Sequence, residues 1–143
     1  MPDVRFRLTI PPDVRLVAAV RQLAERVAQC AGYPAADAAR LASSVEQAIE
    51  RVLARPAPNL PGGRDALDIR FERDGAYLDV WLRQRMGAGE WPAADPLLEN
   101  DALRQGVDTV ETGREGDVAY WRLRRRLPHE KADHQCEAPA DPR

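Results

Sequence analysis

The sequence has few cysteines: Cys30 and Cys136 are the only two among its 143 residues. Cys30 falls on the apolar face of a predicted helix and Cys136 lies in the C-terminal tail. We therefore expect no disulfide framework, and a reducing, cytoplasmic location. Long apolar runs are also absent, since none approaches the roughly 18 residues that a transmembrane helix needs. The N-terminal Met-Pro-Asp-Val-Arg lacks the basic and then apolar pattern of a signal peptide, so we expect no membrane association.

An excess of charge of either sign is absent as well. The formal net charge is -2 at pH 7, which provides no overall attraction for nucleic acid or an anionic membrane, so we expect neither as a partner. Three potential metal ligands, His129, His134 and Cys136, lie together in the tail, but no second cluster accompanies them, and we expect no metal site. The sequence also lacks a Gly-x-Ser-x-Gly nucleophile motif.

The polar and apolar residues that are present follow the periods of regular secondary structure. The chain is 44% hydrophobic and 31% charged, a composition typical of a globular protein. Apolar residues at every second position predict strands, and apolar residues at steps of three and four predict helices. The predicted elements are strand 4–10, helix 14–31, helix 35–54, a hairpin over 67–83 that turns at Asp74-Gly75, a short helix over 96–105, strand 107–111 and strand 118–127.

These strands have one apolar and one polar face, which predicts an α+β fold. We expect a two-layer sandwich with a mixed, mostly antiparallel sheet and helices on one face only. One domain is predicted over 1–128 and a disordered C-terminal tail over 129–143. The intervening segment 55–64 is predicted to be a loop because it is rich in proline and glycine.

Two carboxylates, Glu46 and Glu50, lie one turn apart on the second predicted helix, beside its apolar stripe. Like charges at this spacing repel by roughly 0.2–0.5 kcal/mol on an exposed helix. Either solvent tolerates both side chains, or the position corresponds to a catalytic pair in which one member has been replaced. Further along, Gly87 and Gly89 follow the predicted hairpin in the segment Gln84-Arg85-Met86-Gly87-Ala88-Gly89.

The order of elements, Glu46 and the two glycines together resemble the histidine-kinase-like (GHKL) ATPase domain over about residues 4–127. The resemblance is to the small branch of anti-sigma factors and serine-protein kinases, and it implies the histidine-kinase-like ATPase fold. In that family the second helix has Glu-x-x-x-Asn, with the Glu as general base and the Asn as magnesium ligand. Glu46 matches the first position, and Glu50 stands where the Asn is expected.

The sequence departs from the family at its nucleotide-binding positions. The family motif Asp-x-Gly-x-Gly, whose Asp accepts a hydrogen bond from adenine, keeps its glycines as Gly87 and Gly89 but has Arg85 in place of the Asp. An arginine only donates hydrogen bonds; a one-residue shift would put Gln84 there instead. The family's phosphate-binding glycine segment is also missing before the short helix. Glu50 would ligate magnesium only if ATP binds, and we expect Glu50 to pair instead with Arg85 in a closed, ligand-free pocket.

The resemblance therefore implies a regulatory protein-binding module similar to an anti-sigma factor, with lost or weakened ATP binding and no cofactor. It also implies a homodimer and a protein partner such as a sigma factor or an anti-sigma antagonist. The alternative is an active ATP-dependent serine/threonine-protein kinase that uses ATP and magnesium. A pocket for another small ligand is a third possibility that the sequence leaves open.

The polar face of the predicted sheet combines basic and aromatic residues. A solvated face with cross-strand pairs, a protein-binding surface and a nucleic-acid surface all fit this composition. Acidic residues at Asp68, Glu72 and Asp79 on the same face argue against nucleic acid. The basic and aromatic residues expected there are Arg5, Arg7, Arg70, Arg83, Arg122, Arg124, Arg125, Arg126, Tyr77, Trp81 and Tyr120.

Overall fold

A computed structural model of the protein describes residues 5–54, 66–85 and 103–128. Two helices pack on one face of a five-stranded sheet with strand order β1-β2-β3-β5-β4. All four strand pairs are antiparallel. The elements are β1 (Arg5–Ile10), α1 (Val17–Cys30), α2 (Ala35–Ala54), β2 (Leu67–Asp74), β3 (Tyr77–Arg85), β4 (Thr109–Glu115) and β5 (Val118–Arg126). Short 3-10 turns occur at Val14–Leu16 and Leu103–Gln105.

Helix α2 has the bounds that its periodicity predicts. Its predicted inner stripe is fully buried, and this stripe consists of Leu41, Val45, Ala48 and Val52. Alanine and other good helix formers occupy much of the helix, and the apolar residues recur at one-turn steps, so propensity and pattern favour the same structure. Burial of this stripe against the sheet is the main source of the helix's stability.

Helix α1 begins later than predicted, and the apolar stripe that its periodicity predicts, Leu16, Val20, Leu23, Val27 and Cys30, is fully buried only at Val20 and Val27. Asp13 accepts a hydrogen bond from the backbone N–H of Arg15 at 2.9 Å, and it starts a 3-10 turn before the α-helix. Hydrogen bonds from the Arg15 side chain and backbone lower the pKa of Asp13 to about 2. The buried residues are Val17, Val20, Ala24, Val27 and Ala28, whereas Leu16, Leu23 and Cys30 of the predicted stripe are half-buried.

The sheet contains the predicted β2–β3 hairpin and a second hairpin formed by β4 and β5. The β2–β3 hairpin turns at Gly75, whose φ of 61° suits glycine. Strand β4 begins and ends later than predicted and forms a hairpin with β5 through Gly116, which has a φ of 64°. The sheet is thus antiparallel throughout rather than mixed.

Tyr33, in the turn between the helices, connects the helical layer to the end of β5. Its hydroxyl donates toward the carbonyl oxygens of Arg126 at 2.8 Å and Arg125 at 3.1 Å. Burial raises the pKa of Tyr33 well above its usual value, and the nearby Arg125 guanidinium partly offsets this effect. The neutral phenol is therefore the form that this contact requires.

The α+β sandwich predicted from the sequence is confirmed. The predicted loop 55–64, most of the short helix 96–105, the tail 129–143, Gly87 and Gly89 lie outside the described residues. Within the described segments, neither α1 nor α2 has the length and apolar character needed to cross a membrane.

Candidate functional site

Glu46 lies on α2 at the edge of the helical layer, where it is bound to the neighbouring helix. Its carboxylate forms an ion pair with Arg21 on α1, whose Nε lies 3.3 Å from Oε1, and its side chain is 30% exposed. A general base has to accept a proton, and the ion pair with Arg21 stabilises the carboxylate of Glu46 in its charged form, which opposes that role. A half-exposed pair of this kind contributes little to stability, typically about 0–1 kcal/mol.

Glu50 lies one turn further along α2 and is exposed to solvent. The repulsion expected between Glu46 and Glu50 is thus relieved by Arg21 on one side and by water on the other. Of the two explanations considered from the sequence, tolerance of the charge by solvent is the one that fits Glu50.

Arg85 lies on the opposite side of the sheet from the helices, so the expected ion pair with Glu50 is wrong. Side chains alternate along β3, and Leu78, Val80, Leu82 and Gln84 are the buried residues that face the helices. Arg85 therefore points to the other face, where its Nε donates to Asp117 at 2.9 Å. The partner of Arg85 is therefore Asp117 in the β4–β5 turn and not Glu50 of α2.

Gln84 is the residue that faces the helices at the end of β3. It is only 1% exposed and lies between Leu67 of β2 and Ala119 of β5 in the strand register. Its amide both donates and accepts hydrogen bonds, unlike the guanidinium of Arg85. If the family motif is shifted by one residue, its Asp position falls on Gln84, which lies on the side of the sheet that the helices cover.

The sheet face turned away from the helices is the second candidate region, and we call it the open face. Its residues come from all five strands and follow the strand register. Arg125 does not belong to this face, contrary to the sequence-based prediction, because it alternates onto the helical side. There it pairs with Asp37 of α2 at 3.4 Å and donates to the Gly106 carbonyl at 3.0 Å. The open-face residues are Arg5, Arg7, Thr9, Asp68, Arg70, Glu72, Asp74, Tyr77, Asp79, Trp81, Arg83, Arg85, Thr109, Glu111, Gly113, Glu115, Val118, Tyr120, Arg122, Arg124 and Arg126.

A buried carboxylate, Asp79, lies at the centre of the open face. It is 2% exposed and receives two hydrogen bonds from Arg124 on β5, from Nε at 2.8 Å and from Nη2 at 3.0 Å. The hydrogen bond to Asp79 raises the pKa of Arg124 further above its usual value. Arg122 approaches the same carboxylate at 3.9 Å, and Arg124 also reaches Asp74 at 2.7 Å. Two-point hydrogen bonding of this kind fixes the orientation of the guanidinium.

Aromatic rings lie beside these arginines. The guanidinium of Arg122 lies 5.2 Å from the centre of the Trp81 ring, and that of Arg124 lies 4.6 Å from Tyr77. Trp81 and Tyr120 contact each other with ring centres 5.7 Å apart. Each ring therefore has a neighbour that limits its rotation, and the arginines gain a cation–π contribution.

Most of the other arginines of the open face are also paired with carboxylates, so the face has mixed charge rather than a basic surface. Arg83 pairs with Glu115 at 2.8 Å, Arg7 with Asp68 at 3.2 Å, and Arg122 with Glu111. This balance provides little attraction for a polyanion such as nucleic acid. Instead, the arrangement presents rigid aromatic and guanidinium groups, which are the usual anchors of protein–protein contacts.

Sequence reasoning missed the central position of Asp79. It identified Asp79 as an acidic residue on the polar face but not as a buried one. The available signal was an aspartate at an outward position of a strand whose outward neighbours are aromatic, since such a carboxylate requires an arginine from the next strand.

Among residues 5–54, 66–85 and 103–128, no group of three or more histidine, cysteine, aspartate or glutamate side chains has a metal-binding arrangement. No protein-family model matches this sequence, and no curated protein matches it at a significant level.

Proposed function

We propose that this protein is a regulatory protein-binding module, a histidine-kinase-like domain of the anti-sigma type that has lost most of its nucleotide contacts. The observation on which the proposal depends is the open face, where Trp81, Tyr77 and Tyr120 lie beside arginines held by carboxylates. The partner we propose is a sigma factor or an antagonist of an anti-sigma factor. We also propose that the chain acts as a homodimer in the cytoplasm.

The rigidity of the open face supports this proposal. Binding normally costs roughly 0.5–1.5 kcal/mol for each flexible side chain that must be immobilised. Arg124 is already fixed by Asp79 and Asp74, and Arg122 by Glu111 and Trp81. A partner that contacts these side chains therefore loses less binding free energy to side-chain ordering, because their conformational entropy has already been lost on folding.

Two further observations favour the loss of ATP binding. Arg85, at the position of the family's adenine-binding Asp, is bound to Asp117 on the open face. Glu46, at the position of the general base, is paired with Arg21. A kinase would need an acceptor for adenine and an uncompensated base near the phosphates.

One observation favours the second candidate function, an active ATP-dependent serine/threonine-protein kinase. Gln84 is buried on the helical side of the sheet and has an amide oxygen, which is an acceptor of the type that the adenine amino group requires. In this alternative Glu46 would act as base and Glu50 would hold magnesium.

Trp81→Ala tests the open face as the binding surface. The full-length protein captures its partner from a lysate of the native host, the partner is identified by mass spectrometry, and its affinity is then measured with purified components. We expect Trp81→Ala to weaken binding by about thirtyfold or more, as at a central aromatic anchor. Val14→Ala is the matched control, because Val14 is an exposed apolar residue outside the sheet.

The control variant should bind like the wild type, and both variants should unfold at temperatures that show an intact fold. If Trp81→Ala and Val14→Ala bind the partner equally well, the open face is not the binding surface. If no partner is captured in repeated experiments, the proposed function itself fails.

A further inference from the structure

Strand β1 forms one edge of the sheet. Among the described strands it pairs only with β2, from Arg5 opposite Glu72 to Ile10 opposite Leu67. Alternate backbone N–H and C=O groups of an edge strand point away from the sheet, where they can pair with another strand. This is the geometry that proteins use to bind an extended peptide by adding it to a sheet.

One side of β1 presents an exposed apolar residue. Phe6 is 45% exposed, and among the described residues only Val14 is also a large, exposed apolar side chain. Phe6 lies opposite Phe71 of β2, which is fully buried. The apolar surface of the sheet therefore continues past the helices to this edge, where a further strand would cover it.

The other side of β1 has more positive than negative charge. Arg7 lies directly opposite Arg70 of β2, a like-charge pair that is unfavourable in a sheet. Both arginines approach Asp68, at 3.2 Å for Arg7 and 3.9 Å for Arg70, and Arg70 also lies 3.7 Å from Glu72. With Arg5 and Glu72, three guanidinium groups face two carboxylates at this edge.

We propose that β1 binds an extended acidic segment of the protein partner, which joins the sheet beside β1. A carboxylate of that segment would lie next to Arg7, and an apolar side chain of the segment would cover Phe6. Residues of an extended strand alternate between the two faces, so the segment has alternating acidic and apolar residues. The inference rests on the proposed protein-binding function and specifies the surface and the chemistry of the partner.

Charge favours a different protein over a second copy of this chain. The sequence of β1, Arg-Phe-Arg-Leu-Thr-Ile, contains no carboxylate, so pairing of β1 with itself adds no negative charge to an edge where Arg5, Arg7 and Arg70 face only Asp68 and Glu72. The opposite edge strand, β4, has Glu111 and Glu115 on the open face, but these are already bound to Arg122 and Arg83. A separate acidic segment compensates the arginines of β1 without breaking existing ion pairs.

Fluorescence anisotropy with two labelled peptides tests this proposal on the full-length protein. One peptide alternates glutamate and valine, the other alternates lysine and valine, and both are as long as β1. We expect the wild type to bind the glutamate peptide at least about tenfold more tightly. Binding should also protect the amides of residues 5–10 from hydrogen exchange.

Arg7→Glu should weaken binding of the glutamate peptide by about tenfold or more and should favour the lysine peptide instead. The matched control is Arg26→Glu, which makes the same charge change at an exposed position of α1. Phe6→Ser should weaken the binding of both peptides. Equal binding of the two peptides, an unchanged affinity for Arg7→Glu, or a lack of protection in β1 would overturn the proposal.

Other ways of covering the β1 edge predict different results in these experiments. Self-association in light scattering that is lost in both Arg7→Glu and Glu111→Lys would identify β4 of a second copy as the occupant. Partner binding that is lost in Trp81→Ala but unchanged in Arg7→Glu would overturn the edge proposal and leave the proposed function intact. The capture experiment with the native partner decides the proposed function separately.

Discussion

Arg124→Leu should destabilise the protein by about 3–5 kcal/mol, because it removes the partner of a buried carboxylate. Asp79 is 2% exposed, and Arg124 provides both of its hydrogen bonds from β5. Arg122 remains at 3.9 Å, which is beyond hydrogen-bond distance. The free energy of unfolding, measured by urea denaturation at neutral pH, tests this prediction.

Asp79→Asn in the Arg124→Leu background should recover part of this loss. The substitution replaces a buried carboxylate that has lost its partner with an uncharged amide, which is less costly to bury. Urea denaturation of the double variant beside Arg124→Leu measures the recovery.

Arg126→Leu is the control, since Arg126 lies on the same strand and face but is exposed. Its replacement should change the free energy of unfolding by less than about 0.5 kcal/mol. A loss of similar size in Arg124→Leu and Arg126→Leu would mean that Asp79 does not depend on Arg124.

Gly106→Ala should have the second largest effect, about 2–3 kcal/mol, at the upper end of the cost of overpacking. A Cβ at Gly106 would overlap the carbonyl oxygen of Arg40 and the hydroxyl of Ser44, both on α2. The Arg40 carbonyl belongs to the helix backbone and cannot rotate away. Ser44 is also fixed, because its hydroxyl donates to the Leu103 carbonyl. The approach of the Leu103–Gln105 turn to α2 thus requires glycine.

Gly113→Ala provides a matched comparison for Gly106→Ala. A Cβ there would also overlap another group, but that group is the Tyr120 ring, so relief requires the displacement of one side chain and its contact with Trp81 rather than a shift of backbone. We expect the denaturation midpoint of Gly106→Ala to fall well below that of Gly113→Ala. Equal midpoints would show that the contact between the turn and α2 is looser than described.

Periodicity was sufficient to predict α2 and the β2–β3 hairpin, because in both the pattern extends over many residues without interruption. The stripe of α1 was predicted only in part: Val20 and Val27 are buried, and Leu16 and Leu23 pack against the core but stay partly exposed. The buried Ala24 and Ala28 were not predicted. Small residues give a weak hydrophobic signal, so the pattern favoured the larger ones. Packing between helices decided the outcome.

The sequence alone also misplaced Arg125 and Arg85, for a reason that alternation explains. The run Arg124-Arg125-Arg126 is basic throughout, but a strand places its middle residue on the other face from its two neighbours. Arg85 aligns with the family motif in sequence, but the same alternation along β3 places it on the face away from the helices. The aromatic neighbours of Asp79 on β3 were the only local signal of its burial, and its partner Arg124 comes from a strand that is distant in sequence.

Calorimetric titration of the wild-type protein with ATP and magnesium tests the central claim most directly. We predict no saturable heat up to millimolar nucleotide, because Arg85 faces away from the helices and Glu46 is bound to Arg21. Micromolar affinity that is abolished by Glu46→Ala or Glu50→Ala would contradict this account and would favour the kinase alternative.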